Sequence, residues 1–178
     1  MFLITGIPAS GKSTVAQALA ERLPRSAHVR GETFRRMIVG GRAEAPPGDG
    51  AGDVADLSGE ALRQLRLRHS LAAASADTYA ASGFTPVLQD IILGDELPRT
   101  IALLRTRPLH VVVLVPSPAA IATRLAGRAE RAYGAWTPAD LDRALREGTP
   151  RIGLWLDTSH QTPQETVDAI LRHAGPTG

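Results

Sequence analysis

A glycine-rich octapeptide near the N-terminus, GIPASGKS at residues 6–13, constrains the fold of this chain more than any other segment. It fits the pattern G-x-x-x-x-G-K-[ST], the P-loop, in which backbone N–H groups surround the phosphates of a nucleotide. Lys12 is the only lysine in the chain, and apart from the histidines every other basic residue is an arginine. A compact ammonium fits inside a loop wrapped around a phosphate, whereas a planar guanidinium is bulkier. The octapeptide therefore predicts that the chain binds ATP or GTP.

The segments on either side of the octapeptide are those that a phosphate-binding loop needs. Residues 1–5 are apolar and predict a buried strand, and residues 13–23 predict a helix with apolar side chains at helical spacing. The glycines allow a tight turn, and the helix adds the positive end of its dipole. We expect Lys12 to bridge the β- and γ-phosphates and the hydroxyl of Ser13 to bind Mg²⁺. The residues of this segment predicted to bind the nucleotide are Gly6, Ala9, Ser10, Gly11, Lys12, Ser13 and Thr14.

The composition is that of an ordinary globular protein, and it excludes several other classes. Hydrophobic residues make up 43% of the 178 residues and charged residues 21%, which suits one domain with a sizeable core. A net charge of +2 does not favour a nucleic-acid or membrane surface. Without cysteine there is no disulfide, no thiol nucleophile and no cysteine-based zinc site. The sequence shows no apolar stretch of membrane-spanning length and no basic leader, so we expect a cytoplasmic protein.

Strand-like apolar segments alternate with helix-like segments along the chain. Further strands are predicted at residues 27–30, 85–90, 110–115 and 153–157, and helices at 33–39, 59–82, 96–105, 119–131, 137–148 and from 162 onward. This alternation is typical of a three-layer α/β fold, in which helices cover both faces of a parallel sheet. We expect a single domain over residues 1–173, with a mobile loop at 40–58 and a frayed tail at 174–178.

Two acidic residues follow predicted strands, at the edge of the sheet where ligands bind in open α/β folds. Glu32 comes after the second strand, and Asp90 ends the third. Phosphoryl transfer needs Mg²⁺ held in place and a group that takes the proton of the acceptor hydroxyl. We predict that Glu32 is this base and contacts the acceptor, and that Asp90 acts on Mg²⁺ or its water shell, although the two roles could be exchanged. The alternative is that Asp90 is a helix N-cap and Glu32 a first-turn acid that interacts with the helix dipole.

Arginines are also candidates for binding the transferred phosphoryl group. Arg124, Arg128 and Arg131 lie four and three residues apart and so share one face of a predicted helix. We expect a lid over residues 124–137, in which Arg128 stabilises the charge on the phosphoryl group during transfer. The alternative is a solvated basic face.

The acceptor side of the predicted site includes two more residues. Of Arg35 and Arg36, one is expected to hold an anionic or polar group of the acceptor and the other to lie on the surface, and Arg35 is the residue assigned to the acceptor. His69 lies on the apolar face of the long helix at 59–82, where it is either a core histidine or a donor that lines the substrate pocket. The other arginines of this helix are interpreted as solvent-side charges: Arg63, Arg66 and Arg68.

Taken together, residues 6–14, 31–35, 87–90, 124–128 and 156–159 resemble the small P-loop kinases, and most of all the bacterial chloramphenicol phosphotransferase-like proteins. The resemblance implies a five-stranded sheet in the order 2-3-1-4-5, with a lid between the fourth and fifth strands. It also implies that Arg124 stacks on adenine, that Arg128 touches phosphates, and that the loop with Thr158 lines the adenine pocket. The family usually has Asp at the position of Glu32, and often a second acid at the position of Gln89.

The function predicted from these residues is an ATP-dependent phosphotransferase that moves the γ-phosphoryl of ATP to a hydroxyl of a small molecule, with Mg²⁺ as cofactor. Its expected partner is a neutral or weakly charged acceptor, and the protein is expected to be a monomer or homodimer without a membrane or nucleic-acid partner. One alternative is a kinase for a nucleotide or a nucleic-acid end, which needs a basic groove. Another is a regulatory ATPase module without a small-molecule acceptor. A GTPase switch is excluded because its guanine motif needs a second lysine.

Overall fold

The computed structural model describes residues 1–43, 59–126 and 137–175 of the chain. Two predicted features lie largely outside this part, namely the loop at 40–58 and the lid at 124–137, which contains Arg128. The same is true of the last three residues of the predicted tail. These expectations remain predictions.

Five parallel strands form one sheet in the order β2-β3-β1-β4-β5. The strands are β1 (Phe2–Thr5), β2 (Ser26–Arg30), β3 (Thr85–Gln89), β4 (His110–Leu114) and β5 (Leu154–Leu156). The predicted α/β class and the strand order implied by the resemblance are both confirmed. Because β1 is the central strand, the loop that follows it begins in the middle of the sheet.

Seven helices connect the strands in the described residues: α1 (Lys12–Arg22), α2 (Gly31–Arg36), α3 (Gly59–Ala81), α4 (Glu96–Leu103), α5 (Pro118–Leu125), α6 (Pro138–Arg146) and α7 (Pro163–Ala174). All seven were predicted. The boundaries of α2 were wrong, because the helix begins at residue 31 and ends at 36, and this places Glu32 in its first turn. Within the described part, no helix combines the length and apolar character needed to cross a membrane.

Side chains of the central strands point alternately to the two faces of the sheet. On one face, Phe2 and Ile4 pack with apolar residues of α1 and α7. On the other face, Leu3 packs with residues of α3, α4 and α6. All three side chains are fully buried, and a buried side chain of this size contributes roughly 1.5–3 kcal/mol to folding. Burial on both faces explains why the sequence of β1 is continuously apolar and does not alternate.

The carboxyl ends of β2, β3 and β1 lie side by side. Gln89 pairs with Arg30 on one side and with Ile4 on the other. Just beyond the strand, the backbone N–H of Asp90 donates to the carbonyl of Ile4 at 3.2 Å. The segments that follow these three strands therefore meet at one edge of the sheet, which is where the sequence predicted a site.

Candidate active site

The P-loop, residues 6–13, makes a tight turn that depends on backbone angles with positive φ. These occur at Gly6 (146°), Ala9 (60°) and Gly11 (96°). A Cβ atom on Gly6 would lie 2.7 Å from the carbonyl oxygen of Leu114, closer than carbon and oxygen approach without a bond. Glycine is needed at position 6 because the loop passes against the end of β4.

Lys12 and Ser13 open helix α1, where the backbone N–H groups and the helix dipole favour an anion. Lys12 is buried, and its Nζ donates to the carbonyl oxygen of Ile7 at 2.7 Å, so the ammonium lies over the loop. The hydroxyl of Ser13 donates to Oε1 of Gln89 at 3.3 Å. The loop thus presents one ammonium, one hydroxyl and several backbone donors at the end of β1.

A cavity of about 280 Å³ adjoins the P-loop on the side of α7. Arg124 closes one wall, since its guanidinium donates to the carbonyl of Ser10 at 3.2 Å and to that of Thr158 at 2.6 Å. The hydroxyls of Ser10 and Thr158 are buried there and have no hydrogen-bond partner in the described structure. Thr14 and Gln161 also line the cavity. Such unsatisfied hydroxyls fit a polar ligand. The cavity adjoins the P-loop, which is where the nucleoside part of a bound nucleotide would be expected.

Arg68 joins the two predicted acids. Its Nη1 donates to Oε2 of Glu32 at 2.9 Å, and its Nε donates to Oδ2 of Asp90 at 2.7 Å. Its Nη2 also donates to Oδ1 of Asp90. Only 9% of the Arg68 side chain is exposed, so the interpretation of this residue as a solvent-side charge was wrong. Arg68 lies three residues after Leu65 and four before Ala72 on the inner face of α3, where an arginine needs a buried partner.

The two carboxylates differ in their access to solvent. The side chain of Asp90 is 2% exposed, whereas that of Glu32 is 38% exposed. Asp90 also accepts from the backbone N–H of Ile91 at 2.7 Å. A Cβ atom on Gly31 would overlap the carboxylate of Asp90, which explains why glycine follows β2. Asp90 is therefore enclosed, and Glu32 is the acid that a ligand can reach.

His69, the residue after Arg68 on α3, is almost completely buried. Its Nδ1 is 3.3 Å from the hydroxyl of Thr100, and its Nε2 is 4.0 Å from Oδ2 of Asp90. Burial, together with the positive charge of Arg68, lowers the pKa of His69 to about 4, so the ring is neutral near pH 7. Its position agrees with the core interpretation, while substrate binding by His69 stays a prediction.

A family model described as an AAA domain (AAA_33) matches residues 1–147. The chain belongs to this AAA domain family. Among curated proteins, no significant sequence match was found.

Solved structures similar to this AAA domain share its fold at low sequence identity. A sugar kinase from Janibacter sp. HTCC2649 has a TM-score of 0.66 at 16% identity, over 97% of this chain and 92% of that one. An APS kinase from Mycobacterium tuberculosis, in complex with AMPPNP and APS, has a TM-score of 0.67 at 16% identity, over 97% and 95%. A gluconokinase from Sinorhizobium meliloti 1021 has a TM-score of 0.57 at 18% identity, over 97% and 89%.

The Ser13 hydroxyl and the Gln89 amide oxygen lie 3.3 Å apart at the start of α1, where Mg²⁺ binding was predicted for Ser13. Mg²⁺ usually keeps several waters and takes only one or two protein oxygens besides the phosphates. The Ser13 hydroxyl and the Gln89 amide oxygen therefore fit such an ion. Both oxygens of Asp90 are bonded to Arg68, so metal binding by Asp90, which stays a prediction, would compete with that ion pair. The contact of Gln89 with Ser13 was not predicted, because a neutral amide carries no charge signal in the sequence.

Other predicted site residues have mixed outcomes. Arg35 lies on α2 with its Nη1 3.6 Å from Oε1 of Glu32, and its contact with an acceptor stays a prediction. Arg124 and Thr158, more than a hundred residues beyond the P-loop, lie beside it, while their contacts with adenine stay predictions. Arg128 lies outside the described residues, and its contact with phosphates stays a prediction.

The buried His69 makes the stability of the AAA domain depend on pH. Because its folded pKa of about 4 is below the ordinary 6.5, the unfolded chain takes up a proton first as the pH falls. The free energy of unfolding should thus decrease as the pH falls from about 6.5 to 4. His69 alone should lower the free energy of unfolding by about 2 kcal/mol when the pH falls from about 7.5 to 5. Urea unfolding of the wild type and His69→Gln at both pH values measures this. Equal pH dependence of the two proteins would contradict it.

Proposed function

We propose that this protein is an ATP-dependent phosphotransferase that moves the γ-phosphoryl group of ATP to a hydroxyl of a small molecule. The observation that supports this most is the exposed carboxylate of Glu32, held by a buried arginine at the same sheet edge as the P-loop. A loop that binds phosphates is common to many ATP-using proteins. A reachable carboxylate fixed beside it is what transfer to a hydroxyl requires, since a base must take the hydroxyl proton.

Each side chain then has a role in an in-line transfer. The P-loop N–H groups and Lys12 bind the β- and γ-phosphates and stabilise the charge that develops on them. Glu32 accepts the proton of the acceptor hydroxyl while that oxygen forms a bond to the γ-phosphorus, and the bond from phosphorus to the β-γ bridging oxygen breaks to release ADP. Ser13 and Gln89 would hold Mg²⁺, which supplies neutralisation of phosphate charge when bound. Arg124 and Thr158 line the adenine side of the nucleotide site.

The structural neighbours support transferase chemistry, since their names describe a sugar kinase, an APS kinase and a gluconokinase. The motifs also resemble the chloramphenicol phosphotransferase-like proteins, so hydroxylated antibiotics belong among the acceptors to be tested.

A neutral or weakly charged acceptor is favoured by the ion pairs around Glu32. Arg35 and Arg36 both face Oε1 of Glu32, at 3.6 and 3.8 Å. Farther along, Arg66 is paired with the buried Glu96 at 2.9 Å. Cations paired in this way offer less attraction to a nucleotide or nucleic-acid end than a basic groove would.

An acceptor screen tests the proposal. The purified protein is incubated with ATP and Mg²⁺ and with pools of hydroxylated metabolites, nucleosides and antibiotics. We expect one pool to increase ADP formation and one compound in it to gain the mass of a phosphoryl group. Steady ATP hydrolysis that no acceptor changes, but that a protein partner alters, would favour the regulatory ATPase module. Phosphorylation of nucleosides alone would favour the nucleotide kinase.

A further inference from the structure

The guanidinium of Arg68 connects carboxylates that follow two different strands. It uses Nε and Nη2 for Asp90 and Nη1 for Glu32. We propose that Arg68 is a positioning residue that holds Glu32 and Asp90 as one unit and directs Glu32 toward the acceptor, an inference that rests on the proposed function. Glu32 is then the base, and Asp90 is the anchor that fixes the plane of the guanidinium.

The planar fork of arginine is what makes this arrangement specific. A bidentate contact with Asp90 fixes the orientation of the guanidinium plane, so the remaining Nη1 donor points in a single direction. That direction meets Oε2 of Glu32 at 2.9 Å. Oε1 of Glu32 makes longer contacts with Arg35 and Arg36, at 3.6 and 3.8 Å, and the side chain is 38% exposed. One oxygen of Glu32 is therefore held while the other faces the proposed acceptor.

The anchor is connected to the phosphate loop through the sheet. The backbone N–H of Asp90 donates to the carbonyl of Ile4 on β1, the strand that leads into the P-loop. Two residues farther on, the N–H of Ile92 donates to the hydroxyl of Thr5, and that hydroxyl donates to the Ile92 carbonyl, both at 2.9 Å. Arg68 and Asp90 therefore fix the position of Glu32 relative to β1, the strand that also positions Lys12. Misplacement of a reacting group by about 1 Å costs on the order of 10²-fold in rate.

Charge balance also requires Arg68. A carboxylate as enclosed as Asp90 is stable only with a paired cation. Burial lowers the pKa of the Arg68 guanidinium, and the negative charge of Glu32 opposes this, so the group stays protonated between its two partners. A lysine would supply the charge, but its single ammonium lacks the fork that reaches both carboxylates in a fixed geometry.

Kinetics of Arg68→Gln and Arg68→Lys, with ATP, Mg²⁺ and the acceptor found in the screen, test the proposal. We expect kcat to fall about 10²-fold in both variants, as for a misplaced reacting group. The KM for ATP should change less than about twofold, because the P-loop and the Arg124 cavity are untouched. The matched control is Arg22→Gln, which breaks an exposed arginine–aspartate pair at 3.1 Å between α1 and α7 and should leave kcat unchanged. Wild-type kcat in Arg68→Lys would overturn the proposal.

A second measurement does not depend on transferase activity. Carbodiimide labelling followed by mass spectrometry reports how accessible each carboxylate is. In Arg68→Gln, the enclosed Asp90 should become labelled and labelling of the partly exposed Glu32 should increase, while labelling of the exposed Glu60 should not change. Unchanged labelling of Glu32 and Asp90 would overturn the positioning role. Increased labelling in a protein that transfers phosphate to no acceptor would support the arrangement and reject the proposed function.

Two further experiments, chemical rescue and a double variant, distinguish a positioning role of Arg68 from a general loss of structure. Added guanidinium should restore kcat in Arg68→Ala by at least about tenfold, whereas methylammonium at equal ionic strength should not, because it supplies charge without the fork. The double variant Arg68→Gln/Asp90→Asn should be no slower than Arg68→Gln alone, as expected for residues that act as a unit. Equal rescue by both ions, or multiplied effects in the double variant, would contradict the proposal.

Discussion

Lys12→Ala is expected to lower phosphoryl transfer by at least about 10³-fold. The ammonium is the only lysine side chain in the molecule, and it lies buried over the P-loop. Arg124, a second cation beside the loop, is hydrogen-bonded to the backbone carbonyls of Ser10 and Thr158. Removing Lys12 therefore removes the positive charge that would offset the negative charge developing on the phosphoryl group. ADP formation measured with saturating ATP and acceptor checks the effect.

The fold should survive this substitution. Lys12 donates to the carbonyl of Ile7, a contact within the loop itself. Because burying an ammonium costs free energy, its removal should not lower the temperature of thermal unfolding below that of the wild type. Lys12→Arg is the second variant, and we expect it to be nearly inactive because the guanidinium is too bulky for the loop. Near-normal transfer by either variant would reject the assignment of residues 6–13 as the phosphate site.

Glu32→Gln is expected to lower kcat by about 10²–10⁴-fold, the range typical of a lost general base. The amide keeps the size of the side chain and can still accept a hydrogen bond from Arg68, but it cannot take the acceptor proton. The KM for ATP should stay within about twofold of the wild type, because Glu32 does not line the cavity beside the P-loop. Steady-state kinetics with each substrate varied in turn measure this separation.

Two further variants sharpen this test. Glu60→Gln changes an exposed glutamate on α3 that is paired with Arg63 at 2.7 Å, and it should leave kcat unchanged. Glu32→Asp shortens the side chain by one methylene and restores the residue usual in the chloramphenicol phosphotransferase-like proteins. It should retain more activity than the glutamine variant, because it can still accept a proton. A kcat in Glu32→Gln within twofold of the wild type would show that another group is the base.

The fold was predictable because its determinants are local. Strands such as β1 and β4 are short apolar runs, and the helices have their own periodicity, caps or stop signals. Thr162 shows this, because it accepts from the N–H of Glu165 at 3.2 Å and donates its own N–H to that side chain at 2.7 Å, as the sequence predicted. The errors occurred at boundaries such as that of α2, where packing of Gly31 against Asp90 starts the helix earlier than its propensities indicate.

The candidate site was only partly predictable because its contacts join distant parts of the chain. The P-loop was found from eight consecutive residues, and Glu32 and Asp90 from their positions after strands. Nothing local distinguishes Arg68 from Arg63 or Arg66, which are also arginines on α3. What distinguishes Arg68 is that its side chain faces the ends of β2 and β3, where it meets carboxylates 36 and 22 residues away.

By itself, the sequence determined the α/β class, the phosphate loop and the two acids at strand ends, because periodicity and consecutive motifs are encoded by neighbouring residues. Only the tertiary structure decided how the acids are used. It enclosed Asp90 against Gly31, left Glu32 partly exposed and placed Arg68 between them. It also put Gln89, and not an acid, next to Ser13. The physical reason is that burial and ion pairing depend on which side chains the sheet order brings together, and that order is a property of the whole chain.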